Sequence, residues 1–161
     1  MKSKKPKFNA SGLSGIDKVM GNLNKELEKL KKRSMPGMIK AAIHIRRSME
    51  DTPPLIPVDL GNLRASWFTV TGTGQDVGGT PQFIGEADHE ADHAAAKNMV
   101  QAKVIGKPMV GMGFSAVYAS AVHENTTAKR QRPGSGGKFF ESALKRDHAT
   151  ILKIVSEDMK L

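Results

Sequence analysis

The chain contains no cysteine, which excludes a disulfide scaffold, a thiolate zinc finger and a cysteine nucleophile. Aromatics are scarce: one Trp, one Tyr and six Phe in 161 residues. A buried core must therefore rest on aliphatics and on nine Met, whose flexible side chains fill irregular gaps. No run approaches the ~18 consecutive apolar residues of a membrane-spanning helix. Met1-Lys-Ser-Lys-Lys-Pro-Lys7 is basic but has no apolar segment behind it, so the expectation is no secretory signal and a soluble intracellular product. Hydrophobic residues make up 39% and charged residues 25%, a composition that folds rather than stays disordered. The length fits one domain with an appended arm.

What is present in excess is positive charge, and it is uneven. Residues 1–50 carry 13 Lys/Arg against 4 Asp/Glu, a balance of +9. Residues 51–124 carry 4 against 8, or −4, and residues 125–161 carry 8 against 4, or +4. Basic ends around an acidic middle suit phosphate or an acidic protein surface, and equally head-to-tail contacts between copies. Lys4, Lys5 and Lys7 in a basic arm over residues 1–15, and Lys129, Arg130 and Arg132 in a basic loop, are the expected contacts with neighbours.

The remaining residues 16–161 read as a single α+β domain with an insertion at about 72–103. Ile16, Val19, Met20, Leu23, Leu27 and Leu30 make one helical stripe, with Ser14 placed as its N-cap. Ser34-Met35-Pro36 is expected to interrupt that helix or open a second, which Asp51-Thr-Pro-Pro54 then stops. Leu60–Ala65 suits one helical turn, and the β-branched and aromatic run Trp67–Thr71 suits a strand. Residues 72–81 are a glycine-rich loop and Glu86–Met99 a polar helix; Val104-Ile105 and Met109–Phe114 are short strands. Ala116–His123 fits a strand or a short helix, and residues 124–137 form a long basic loop. From Phe139 to Met159 the apolar spacing predicts one long amphipathic helix. The sheet is expected to be small and antiparallel.

Few constellations carry chemistry. His89-Glu-Ala-Asp-His93 matches H-E-x-x-H, whose two histidines share a helix face and can ligate zinc, with Glu124 or Glu141 as a third ligand. Its polar flanks favour a solvated segment instead. The glycines near 72–78 and 134–137 match no phosphate-cradling spacing, and Ser115, His123 and Asp59 belong to no nucleophile elbow. Lys129-Arg-Gln-Arg132 is an electrostatic footprint for nucleic acid, without the aromatics needed for base stacking. Hence no catalytic, cofactor or metal site is assigned.

Three ordered stretches carry a resemblance. Thr52–Trp67 contains Pro57-Val-Asp-Leu-Gly-Asn-Leu-Arg64, Val110–Glu124 contains Tyr118-Ala and Val122-His-Glu124, and Gly136–Leu144 contains Lys138-Phe139. Taken together they resemble the small neck or tail-completion proteins of tailed bacteriophages, from about Lys40 to the C-terminus. The residues that match are Pro57, Val58, Asp59, Gly61, Leu63, Arg64, Tyr118, His123, Glu124, Lys138 and Phe139. Leu60 departs from the family's usual Thr. Asp59 is expected to start a turn in which Gly61 takes positive φ, and to pair with Arg64.

The resemblance implies a structural virion protein, not an enzyme. It would be made in the host cytoplasm and form a homo-oligomeric ring, of six copies, around the DNA channel where connector joins tail. Its partners would be head-closure or connector proteins and tail-terminator or tail-tube proteins, with transient contact to passing DNA and none to membrane. The alternatives are a sequence-independent nucleic-acid-binding protein and, after it, a zinc-dependent hydrolase using His89, Glu90 and His93.

Overall fold

In a computed structural model, which describes residues 11–85 and 88–159, a single helix α1 runs from Ser11 to Asp51. Lys4, Lys5 and Lys7 lie outside the described residues. Ser14 is inside α1 and so is not its N-cap. Pro36 is inside as well, and the two expected helices are one. Proline removes one intrahelical hydrogen bond and crowds the preceding turn, but packing carries α1 through it. A Cβ placed on the adjacent Gly37 would stand 3.0 Å from Val155 Cα, so α1 lies almost backbone to backbone on the closing helix.

The closing helix is present in two segments, α5 (Phe139–Arg146) and α6 (His148–Met159). They meet at Asp147, whose amide still bonds the Ala143 carbonyl at 3.0 Å while its own carbonyl accepts from Ile151 at 2.8 Å. The join is thus a bend, at a residue with poor helix preference. α6 runs antiparallel along the C-terminal half of α1, tied by Lys40–Asp158 at 2.7 Å.

Strand β1 (Trp67–Thr71) pairs antiparallel with β2 (Val110–Phe114), Trp67 opposite Phe114 and Thr71 opposite Val110. This is the small sheet of an α+β fold. Every residue of β1 is buried, and its side chains alternate between two cores. Trp67 joins Ile45, Met49, Ile56, Leu63, Phe139 and Ala143 between the sheet and α1. Phe68 and Val70 face the other way and pack with Val104, Ala96 and Val100 of α3 (His89–Val104). Val104-Ile105 is therefore the end of a helix rather than a strand. α3 starts later than expected, because the Asp88 carboxylate accepts from the Ala91 amide at 3.1 Å and caps it. Within the stretch 72–103, α3 covers the second face of β1.

Two short helices complete the chain. Asn62–Ala65 form α2, one turn as expected, and Ala119–Glu124 form α4, which resolves the strand-or-helix ambiguity at 116–123. Helix occurs there because the glycine-free Ala-rich run can fold back on Tyr118, whose carbonyl accepts from Val122 at 3.0 Å.

Candidate functional site

The three stretches that carry the resemblance converge on one end of the molecule. Gly61 adopts φ 96°, a left-handed conformation that any side chain would strain, and so turns Val58–Leu60 into α2. Next to it Asn62 clamps a distant loop: its Oδ1 accepts from the Ile84 amide at 2.8 Å and its Nδ2 donates to the Ile84 carbonyl at 2.7 Å. Leu63 drops into the core beside Phe139, and Trp67 meets Phe114 edge-on at 5.1 Å and Phe140 at 5.8 Å. The Ser66 carbonyl accepts from the Ser115 amide at 2.9 Å, so the first stretch is stitched to the second. The second is stitched to the third where Lys138 N donates to the His123 carbonyl at 2.6 Å.

Arg64 does not pair with Asp59. Its Nε donates to Glu50 Oε1 at 2.9 Å, while Asp59 accepts from Gln131 at 3.3 Å. Glu50, in the last turn of α1, is a hub with a side chain only 15% exposed. Arg46 donates to the same carboxylate oxygen, and Arg132 Nη1 reaches the other at 3.0 Å. Arg132 Nη2 also bonds the Glu50 carbonyl at 2.8 Å. Burial works to raise the Glu50 pKa, but hydrogen bonds from Arg64 and Arg132 and the charge of Arg46 outweigh it, and the carboxyl is held below its usual range. One carboxylate thus anchors α1, the Val58–Trp67 segment and the basic loop.

That hub changes the meaning of the basic loop. Arg132 points inward to Glu50, and Arg130 Nη2 donates to the Val122 and Asn125 carbonyls, both at 3.0 Å. Of the three expected contact residues here, Lys129 is the exposed one. Lys129 and Arg130 instead help wall a groove of about 520 Å³ with Pro57, Val58, Asp59 and Tyr118. Burial, then the Asp59 charge, raises the Tyr118 pKa.

Among the remaining matched residues, the His123 ring lies 5.0 Å from that of Phe139, and its Nδ1 is 3.0 Å from Glu124. Lys138 sits at φ 56° and pairs with Glu124 and, at 3.4 Å, Glu141. Its hydrogen bond, with that of His123 after it, lowers the Glu124 pKa.

The two histidines of the H-E-x-x-H segment do share a face of α3, with Phe83 packed on both, at 5.3 Å from His89 and 5.8 Å from His93. His93 is buried, with Nδ1 2.9 Å from Ser115 Oγ. Burial, and then the nearby Lys97 charge, lowers its pKa. Glu124 and Glu141, the candidate third ligands, are both on Lys138. Among the described residues no three His, Asp or Glu side chains gather as a metal cluster.

The most unusual surface lies at the far end of α1. Every residue from Lys18 to Leu30 is exposed, including Val19, Met20, Leu23, Leu27 and Leu30. These five span about 100° of helix circumference, with Lys18, Lys25, Lys29 and Lys32 on the opposite side. At the root of this arm a second groove, of about 640 Å³, opens between Met35–Lys40 and the turns at Gly72–Gln75 and Gly106–Pro108. Composition could have flagged Glu50, since Arg46 and Glu50 stand four residues apart before a Pro-Pro stop; nothing in sequence marks Asn62 as a clamp. No protein-family model, curated protein or solved structure matches this chain.

Proposed function

We propose that this chain is a structural subunit of the bacteriophage head–tail junction, a neck or tail-completion protein that assembles as a ring around the DNA channel. The observation that carries the reading is the division of labour along α1. One half packs on α6 and on the matched stretches, and the other is an exposed amphipathic arm that no other described residue covers. Monomeric proteins seldom leave a row of large aliphatic side chains in water. The residues of the matched stretches meanwhile spend their polar groups on holding loops, as Asn62 and Arg64 do.

A ring needs a heterologous interface, in which one surface meets a different one on the next copy. The acidic 51–124 segment and the basic ends supply surfaces of opposite sign, which orient neighbours and raise the rate of encounter. The ring would hold six copies in the virion, between connector or head-closure proteins and tail-terminator or tail-tube proteins. DNA passing through would meet only sequence-independent contacts.

The test is electron microscopy of particles made when an early stop codon silences this gene. Heads separated from finished tails establish the joining role; normal, infectious virions overturn it. Salt-dependent binding of the isolated protein to random DNA, together with intact virions, would favour the nucleic-acid-binding reading.

A further inference from the structure

The exposed arm carries a seven-residue pattern that the other described residues leave uncovered. With Met20 at position a of a heptad, Leu23 falls at d, Leu27 at a and Leu30 at d, and the spacing reaches back in sequence to Leu13 and Ile16. A strict a/d repeat is the seam of a coiled coil, narrower than the stripe by which a helix docks on a globular body. Met20, Leu23, Leu27 and Leu30 are 52, 52, 46 and 44% exposed. The pattern stops at Ser34 and Gly37, the next a and d positions, and Gly37 is already pressed on α6. The seam ends where the body begins.

The flanking charges say what covers it. Glu26 stands at g and Lys31 at the following e. In a parallel two-stranded pair, g of one helix faces e of the other five residues on, so Glu26 of each copy meets Lys31 of its mate. Within one chain these charges fall back on Lys29 at 2.6 Å and Glu28 at 2.7 Å. Such exposed pairs contribute little and exchange readily. Lys25, Lys29 and Lys32 occupy f, c and f, away from the seam.

We propose that this face pairs, parallel and in register, with the same face of a second copy of the chain. The parallel sense rests on that charge register, because an antiparallel pair would set g against g and e against e; being isologous, the pairing joins copies two by two and is separate from the heterologous contact of the ring. Four a/d layers are marginal for isolated helices, so pairing draws on the bodies that hold the arms close.

The absence of cysteine makes the test direct. Leu23→Cys and Leu30→Cys place a lone thiol at d, and Lys25→Cys places one at f, all on exposed positions of the full-length protein. On oxidation with copper(II)–phenanthroline, each d variant is expected to form a disulfide-linked dimer several-fold faster than the f variant. Glu26→Lys in the Leu23→Cys chain should slow the dimer, and adding Lys31→Glu should restore it. Dimers no faster at d than at f overturn the seam. Cross-linking only when Leu23→Cys and Leu30→Cys chains are mixed overturns the parallel sense. Mass photometry of the same samples separates the two readings: rings without d cross-links end the seam alone, and d-linked dimers with no larger assembly end the ring alone.

Discussion

Replacing Glu50 with Gln removes one negative charge while keeping its size and one acceptor oxygen. Three arginines then surround a neutral amide. Arg46 and Arg132 are 23 and 28% exposed, and a charge-assisted hydrogen bond in such a site contributes about 1.5 kcal/mol. Arg64 is 45% exposed, so solvent holds its share to about 0.5 kcal/mol. Release of the buried carboxylate offsets only part of this, which leaves a loss of about 3 kcal/mol. For a chain of this size that is a fall in Tm of roughly 6–12 °C. Urea denaturation of wild type and Glu50→Gln, at pH 7 and again well below pH 4.5, measures it. The sign follows from linkage. The folded Glu50 pKa is depressed below 4.5, so its stabilisation is complete above 4.5 and drains away as pH falls through the folded value. The gap between the two proteins should therefore narrow in acid. A loss under about 1 kcal/mol at pH 7, or a gap that is the same at both pH values, refutes the hub.

Two further outcomes are expected. His93 is buried with a pKa below 6.5, so the unfolded chain takes up protons more readily than the folded one as pH falls below 6.5. Wild type should lose stability over that leg, and His93→Gln should flatten it; an unchanged slope in denaturation between pH 7 and 5 sinks the argument. Gly21 lies in the exposed arm, and a Cβ there meets nothing within 4 Å. Gly21→Ala should therefore raise helicity by circular dichroism and stabilise the arm by about 0.5–1 kcal/mol. No gain would mean that the arm is not helical at that position in solution.

Local chemistry made some elements legible and left others hidden. Trp67–Thr71 could be read as a strand because five β-favouring residues in a row suit a buried ribbon, and Gly61 could be read as a turn because its neighbours have no other way to reverse. The partner of Arg64 could not be read. Asp59 is close in sequence, but a one-turn helix carries Arg64 away to Glu50, and only the tertiary fold brings that residue near. Pro36 misled for the same reason: its local preference for a helix start gives way to the contact between Gly37 and Val155. Asp147 erred the other way, as a bend that the apolar spacing of 139–159 passes over without a trace. At the site, the bonds of Arg130 to the Val122 carbonyl and of Arg132 to Glu50 could not be read, because a cation's sequence position says nothing of which acceptors lie beneath it.

Pro36 also sets the mechanics of α1. The helix is a rod about 60 Å long, and the proline's missing N–H falls where the exposed arm gives way to the packed half. One of the hydrogen bonds that resist bending is already absent there. Bending of the arm therefore costs less at Pro36 than elsewhere along the helix. A load on the arm would thus be taken up first around Pro36, ahead of the loops tied to Glu50.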